Sequence, residues 1–284
     1  MSPARLIILA CLAMTAFAAN SLIGRAALAD DLIDPASFTT VRVASAALVL
    51  ALVVYVRRRR LPSRRYADWR SGLALFSYAA LFSFAYRALS AGTGALILFG
   101  AVQLTMFARA FYEREHFPPL AWGGMAIACG GLVWLVLPGV AAPDPLGTVL
   151  MIGSGVAWGV FSLLARGTDH PVEANAVNFA FCVPLAAVGS VIFMAHAHWS
   201  PGGLALAMMS GGLTSGIGYV LWYALVQHIP AARAAVLQLS APAIAALGGV
   251  ALLGEDLTLR LVVATAAMLG GVAIVLAQKA RQTT

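Results

Sequence analysis

The sequence predicts an all-α integral membrane protein whose ten transmembrane helices form two inverted five-helix repeats around a central cavity. Three observations predict this fold class: the apolar composition, the number of long apolar runs, and the similarity between the two halves of the chain. Hydrophobic residues make up 61% of the 284 residues and the mean hydropathy is +0.89, whereas soluble domains are about half apolar. A soluble fold of this length has too little interior to bury so much apolar surface, so lipid must surround many of these side chains.

Ten apolar runs have the length that a membrane span requires, which is about 20 residues for roughly 30 Å of hydrocarbon. They lie at residues 5–28, 34–56, 69–89, 93–111, 118–137, 145–165, 173–195, 203–227, 231–252 and 257–278. The connections at 90–94 and 228–231 are so short that the helices they join must be antiparallel neighbours. The first run resembles a signal peptide, but its apolar character continues past Asn20 and Arg25 to Ala29, so we interpret it as a retained helix.

Basic residues separate several of these runs. Seventeen arginines and one lysine give a formal net charge of +7, and six of the arginines lie within residues 56–65. Nucleic-acid binders spread basic residues over a face with aromatic residues between them, and this sequence does not, so no nucleic-acid partner is expected. With a cytoplasmic N-terminus, 14 basic residues fall on the inner side. The four on the outer side are Arg25, Arg42, Arg87 and Arg260. This bias predicts cytoplasmic termini and an arginine block that contacts anionic membrane lipid.

The two halves of the chain match when one is shifted along the other. The equivalent residues, at shifts of 140 or 141 positions, are Glu115 and Glu255, Gly130-Gly131 and Gly270-Gly271, Phe17 and Trp158, Ser21 and Ser162, and Arg25 and Arg166. Asp34 and Glu173 each open the second helix of their half. We predict repeats at 5–137 and 145–278, followed by a short cytoplasmic tail at 279–284. Because each repeat has an odd number of spans, the two run in opposite orientations, as in secondary transporters with a substrate site near the midplane.

The combination of ten spans, two five-helix halves, and an acidic residue before a Gly-Gly pair in the last helix of each half resembles the drug/metabolite transporter superfamily with EamA-type repeats. The resemblance covers residues 5–278 and is greatest to the aromatic amino-acid exporter branch. It implies a multi-pass protein that exports aromatic amino acids across a bacterial inner membrane. One departure is that Pro242 in the ninth span has Val102 as its counterpart.

Ionisable residues are placed where they exclude several kinds of chemistry. All eleven carboxylates and all five histidines lie at span ends or in connections. With no carboxylate, histidine or lysine in the middle of a span, metalloprotease, aspartyl-protease and retinal-protein functions lack their residues, and we expect no enzyme, metal or cofactor. Cys11, Cys129 and Cys182 stand apart from one another and are interpreted as small apolar residues. Glu115 and Glu255 are expected to stabilise the N-termini of their helices.

Aromatic and amide side chains, by contrast, do occur near the middle of the spans. The candidate substrate-binding residues are Phe17, Asn20, Tyr78, Phe82, Gln103, Trp158, Tyr219, Trp222, Tyr223 and Gln238. Any one of these aromatics can simply pack or face lipid, but as a set on repeat-equivalent helices they indicate a pocket. The glycine-rich runs at 153–159 and 210–218 predict close helix contacts, and Pro184 and Pro242 are expected in mid-helix.

These patterns lead to the hypothesis of an alternating-access exporter of small amphipathic metabolites, with aromatic amino acids as substrates. Transport is expected to be facilitative, because proton coupling needs a titrating group within the membrane; Asp34 and Glu173 are the two possible exceptions. The alternatives are a broad drug or nucleotide-sugar carrier, and a membrane-embedded enzyme or scaffold subunit. No sequence feature fixes an oligomeric state.

Overall fold

The structure, a computed structural model, describes residues 1–114, 118–139, 142–165, 168–229, 234 and 237–282. Within these residues it is all-helical apart from one isolated β-bridge between Ile33 and Trp199. The helices of the first half are α1 (Pro3–Ala29), α2 (Pro35–Arg58), α3 (Trp69–Ala85), α4 (Ala91–Tyr112) and α5 (Pro119–Val136). Those of the second half are α6 (Pro145–Leu164), α7 (Pro171–Ile192), α8 (Pro201–Val226), α9 (Ser240–Leu253) and α10 (Leu259–Gln282). Short 3₁₀ turns occur at Arg64–Tyr66 and Met194–His196.

The prediction of an all-α membrane fold is confirmed. Eight helices in the described part are long and apolar enough to cross a membrane. The other two, α3 and α9, are shorter, with 17 and 14 residues, so only eight of the ten predicted spans reach the full length. The beginning of the ninth predicted span, residues 231–233 and 235–236, lies outside the described residues, as do Glu115 and Arg166. Large apolar side chains on the outer surface are exposed, as expected where lipid replaces water.

Most of the helices begin where the sequence supplies a proline or a capping side chain. Six of them, α1, α2 and α5 to α8, have proline in the first turn, where no backbone N–H is needed. Side-chain oxygens that accept backbone N–H groups precede α2, α3, α4, α6 and α8. These capping residues are Asp34, Asp68, Ser90, Asp144 and Ser200.

The main helix contacts follow the same pattern in both halves of the chain. α3 packs on α6, and the equivalent pair is α8 on α1. α6 packs on α4, and the equivalent pair is α1 on α9. The pairs α2–α7, α4–α9 and α5–α10 link equivalent helices. Gly131 and Gly271, which are equivalent in sequence, both lie at the α5–α10 contact, where a Cβ would collide with the partner helix. The two halves therefore pack as structural repeats.

One end of the bundle carries the arginine block, residues 57–70, and we call it the arginine end. Here the Arg60 guanidinium donates to both oxygens of Glu173 (2.7 and 3.1 Å), and the Ser63 backbone N–H donates to Oε1 at 2.8 Å. Arg58 lies 3.4 Å from the same carboxylate, which is almost fully buried. Part of the block therefore fastens the α2–α3 connection to the start of α7.

Helix α8 departs from regular geometry in a way that the sequence analysis did not predict. Its middle, Met209–Ile217, is a π-helix, and such segments are frequent at functional sites. The prolines lie where the sequence analysis expected helix interruptions. Pro184 lies inside α7, and Pro242 follows a break, since residues 237 and 238 are helical, Leu239 is not, and α9 begins at Ser240.

Candidate functional site

An aromatic cluster joins the two repeats at the centre of the bundle. The ring of Phe17 on α1 contacts those of Trp158 on α6 and Trp222 on α8, with centroid distances of 5.9 and 5.6 Å. Tyr78 on α3 stacks on Trp158 at 5.6 Å, and Tyr219 on α8 lies 6.1 Å from Phe17. α3 packs on α6 and α1 packs on α8, so each of the two helix pairs that carry the rings contains one helix from either half of the chain.

Polar side chains form a network beside these rings. The Tyr78 hydroxyl accepts hydrogen bonds from Nη2 of Arg42 at 2.7 Å and from Nδ2 of Asn20 at 3.3 Å. The Asn20 Oδ1 accepts from the Ser210 hydroxyl at 2.8 Å. The Thr214 hydroxyl lies 3.1 Å from the same oxygen and shares its hydrogen with the Ser210 carbonyl, 2.7 Å away. Both hydroxyls belong to the π-helical part of α8. With its oxygen toward these hydroxyls, the Asn20 amide directs its NH₂ group toward the phenol.

The position of Arg42 corrects the sequence analysis, which placed it among the outer-side charges. It is the eighth residue of α2, and only 1% of its surface is exposed. Its guanidinium carbon lies 4.4 Å from the ring centroid of Phe82 and 5.0 Å from that of Tyr78. In the described part of the chain it forms no ion pair, and its Nε and Nη1 atoms have no hydrogen-bond partner. The overlooked signal was an arginine two helical turns inside an apolar run, because buried intramembrane charges are costly and are usually functional.

Three cavities lie in a row between this site and the arginine end. The central cavity, of about 20 Å³, is bounded by Phe17, Asn20, Tyr78, Trp158 and Tyr219, among others, and has room for one water molecule. The vestibule, of about 210 Å³, shares Trp158 and Tyr219 with it and is also lined by Trp222, Tyr223 and Gln238. The entry cavity, of about 180 Å³, shares Tyr223 with the vestibule and reaches Arg65 and Asp68 in the α2–α3 connection.

The opposite end of the bundle, where α3 and α9 end, is closed by an ion pair. Nε of Arg25 lies 3.3 Å from Oε1 of Glu255, and Nη1 of Arg25 donates to the carbonyls of Tyr86 and Arg87. Both oxygens of Glu255 accept the Ala91 backbone N–H at 2.9 Å. Glu255 thus stabilises the N-terminus of α4. The expectation that it stabilises the N-terminus of its own helix is wrong. A cavity of about 380 Å³ at this end shares no lining residue with the central cavity.

The structure brings eight of the ten predicted site residues to the walls of the central cavity and vestibule. They are Phe17, Asn20, Tyr78, Trp158, Tyr219, Trp222, Tyr223 and Gln238. The other two, Phe82 and Gln103, are buried but line neither cavity. Phe82 instead lies under the guanidinium of Arg42.

Comparison with known proteins identifies the family. The sequence profile of the EamA-like transporter family matches residues 4–137 and, a second time, residues 145–277. This chain belongs to the EamA-like transporter family. Two successive matches mean that an EamA-like unit occurs twice in the chain, as expected from the resemblance to the drug/metabolite transporter superfamily. It is therefore a multi-pass membrane protein of a transporter family.

This EamA-like chain is also similar to several individual proteins. It is 46% identical to an uncharacterized protein of Pseudomonas aeruginosa over 97% of this chain and 96% of that protein. It is 30% identical to the threonine/homoserine exporter RhtA of Escherichia coli, over 49% of each chain. The uncharacterized transporter YwfM of Bacillus subtilis is 22% identical over 91% of this chain and 90% of its own length. A solved crystal structure covers 100% of both chains with a TM-score of 0.66 at 18% identity, which shows the fold alone.

Proposed function

We propose that this EamA-like chain is an alternating-access exporter of small amphipathic metabolites, with aromatic amino acids as its preferred substrates. The observation that carries the proposal is the aromatic cluster around Phe17 and Trp158, which borders a hydrogen-bonding network on one side and a vestibule on the other. Aromatic walls with a few converging polar groups are typical of small-molecule sites. A substrate ring finds stacking partners here, and its polar end finds fixed donors.

The two ends of the bundle support alternating access. The row of cavities extends from the central site to the arginine end, whereas Arg25 and Glu255 tie α1, α4 and the α9–α10 connection together at the other end. We place the arginine end in the cytoplasm of a bacterial cell, by the positive-inside bias. In this conformation the site is then loaded from the cytoplasm, which is the loading direction of an exporter.

Facilitative transport is supported by the bonding of the two acidic residues nearest to a possible proton path. Asp34 accepts three backbone N–H groups, from Ala36, Ser37 and His198. Glu173 is held by Arg58, Arg60 and the Ser63 backbone. Neither lines the central cavity or the vestibule. The driving force is then the substrate's own concentration gradient.

A second candidate is favoured by the relatives: export of an amino acid without a ring, since RhtA is named as an exporter of threonine and homoserine. The same donor network serves both candidates, and the aromatic cluster favours the first. No observation in the described part of the chain favours the nucleotide-sugar, enzyme or scaffold alternatives.

Counterflow in proteoliposomes tests the proposal. Purified protein is reconstituted into liposomes preloaded with unlabelled phenylalanine, tryptophan, threonine or a cationic aromatic drug, and uptake of the labelled compound is followed. We expect phenylalanine and tryptophan to exchange several-fold faster than threonine. Faster exchange of threonine supports the second candidate, and exchange of the drug alone overturns both.

A further inference from the structure

We propose that Arg42 and the hydroxyl of Tyr78 form a subsite for the carboxylate of the transported molecule. The inference rests on the proposed function and makes it more specific, because it requires an anionic group on the substrate. It also explains why a membrane helix keeps a fully buried arginine that forms no ion pair among the described residues.

The electrostatic balance of the site is the first argument. Arginine stays protonated in proteins, so the centre of the bundle holds one positive charge. The rings of Tyr78 and Phe82 offset it in part by cation–π attraction. The other polar groups of the network, on Asn20, Ser210 and Thr214, are neutral. The carboxylates that approach the bundle interior are bonded elsewhere: Glu173 and Glu255 to other arginines at opposite ends, and Asp34 to three backbone N–H groups. An anionic ligand is what this site lacks.

Hydrogen-bonding capacity is the second argument. Nε and Nη1 of Arg42 are buried donors without acceptors, and leaving such groups unpaired is costly. The Tyr78 hydroxyl accepts two hydrogen bonds, from Arg42 and Asn20, so its own hydrogen remains available to a third group. A guanidinium suits a carboxylate particularly well, because its N–H groups match the two oxygens.

The route to the subsite is the third argument. Arg42 does not line the central cavity; Tyr78 does, and the guanidinium lies directly behind its hydroxyl. In this conformation Trp158 stacks on the face of Tyr78, at an interplanar angle of 26°. Displacement of Trp158 opens the central cavity to the vestibule. A carboxylate that enters accepts the phenol hydrogen first, and the positive charge behind the phenol strengthens that bond.

The experiment compares compounds that differ at one group. In wild-type proteoliposomes, inhibition of labelled phenylalanine exchange is measured for 3-phenylpropionate, which lacks the amine, and for phenylalaninamide and phenethylamine, which lack the carboxylate. We expect 3-phenylpropionate to inhibit at concentrations at least tenfold lower than the other two. Arg42→Gln is expected to abolish this preference and Arg42→Lys to retain part of it. Thr39→Val is the matched control, because Thr39 is buried one turn away and bonds to Ser83; it should keep the preference.

If Arg42→Gln does not fold, Tyr78→Phe replaces it, since this variant retains the guanidinium and removes only the hydroxyl. We expect 3-phenylpropionate to raise the melting temperature of the wild type and not that of Tyr78→Phe. Equal inhibition by all three compounds in the wild type, or an unchanged preference in a folded Arg42→Gln or Tyr78→Phe protein, overturns the subsite. Exchange of threonine but not of threoninamide, without exchange of any aromatic compound, overturns the aromatic substrate and supports the carboxylate subsite.

Discussion

Phe17 and Trp158 meet edge to face at the centre of the molecule, with ring centroids 5.9 Å apart and planes at 81°. The sequence analysis predicts them to be equivalent positions of the two repeats, at a shift of 141 residues. An axis that relates the repeats is then expected to pass between these rings. Each half supplies one wall of the same site, so a change in either half is expected to alter the same step.

The first prediction concerns these two rings. Trp158→Ala and Phe17→Ala should each lower exchange of aromatic amino acids several-fold, because an aromatic contact is worth about 0.5–1.5 kcal/mol beyond its buried area. The measurement is counterflow, normalised to the amount of folded protein. Phe84→Ala is the control, since Phe84 pairs with Phe193 away from the site. Normal exchange by both Trp158→Ala and Phe17→Ala shows that other residues line the substrate path.

The second prediction concerns the closed end. Glu255→Gln should weaken its contacts to Arg25 and to the Ala91 backbone, and so increase the time that the opposite end is open. The opening is measured with a cysteine in place of Ser215, which lines the central cavity, in a protein whose three native cysteines are replaced. Labelling of intact cells by an impermeant thiol reagent should rise several-fold.

Arg87→Gln serves as the control for that experiment. Arg87 forms an exposed ion pair with Asp31, 3.6 Å away, and such pairs contribute little. It should leave the labelling rate unchanged. Equal rates for Glu255→Gln and the parent protein contradict a closing role for the ion pair.

The third prediction concerns orientation. A cysteine at Ser63 or Thr284 should be shielded from the impermeant reagent in intact cells, whereas one at Ala142 should react; Thr284 lies outside the described residues. Reaction at Ser63 from outside contradicts the cytoplasmic placement of the arginine end.

The arginine block allows a triple variant to be compared with a double variant. Neutral residues at Arg57, Arg59 and Arg64 should make the orientation of the protein in the membrane less uniform. These side chains are exposed and act through the positive-inside effect. Neutral residues at Arg58 and Arg60 should in addition lower the melting temperature, because they leave the buried Glu173 carboxylate without its cations. Substrate preference should stay the same in both variants.

The fourth prediction concerns the energy source. Uptake into liposomes at clamped voltage and fixed substrate gradient should be nearly independent of an imposed pH gradient. The reason is that no carboxylate or histidine lines the central cavity or the vestibule in the described part of the chain. A steep dependence that disappears in Glu173→Gln or Asp34→Asn demonstrates proton coupling and overturns facilitative transport.

Much of this arrangement is predictable from sequence periodicity, because helix length and apolar runs are local properties. The positions of the spans and the central rings at Phe17 and Trp158 follow from such signals. The roles of Arg42 and Glu255 do not. Arg42 is buried because Tyr78 and Phe82 reach it from the next helix, and Glu255 bonds to Ala91, 164 positions earlier. Such contacts depend on how the repeats pack. A count of the charges on each side of a membrane contains no information about that packing.

The buried guanidinium also makes the two halves of the chain non-interchangeable. Arg42 is the eighth residue of α2, and the eighth residue of α7 is Asn178, a neutral side chain that is 5% exposed. A homodimer of the first half would bring two such cations into one interior, where they repel each other in a medium of low dielectric constant. A homodimer of the second half would contain none. Among the described residues of this chain, the one fully buried arginine comes from the first half alone.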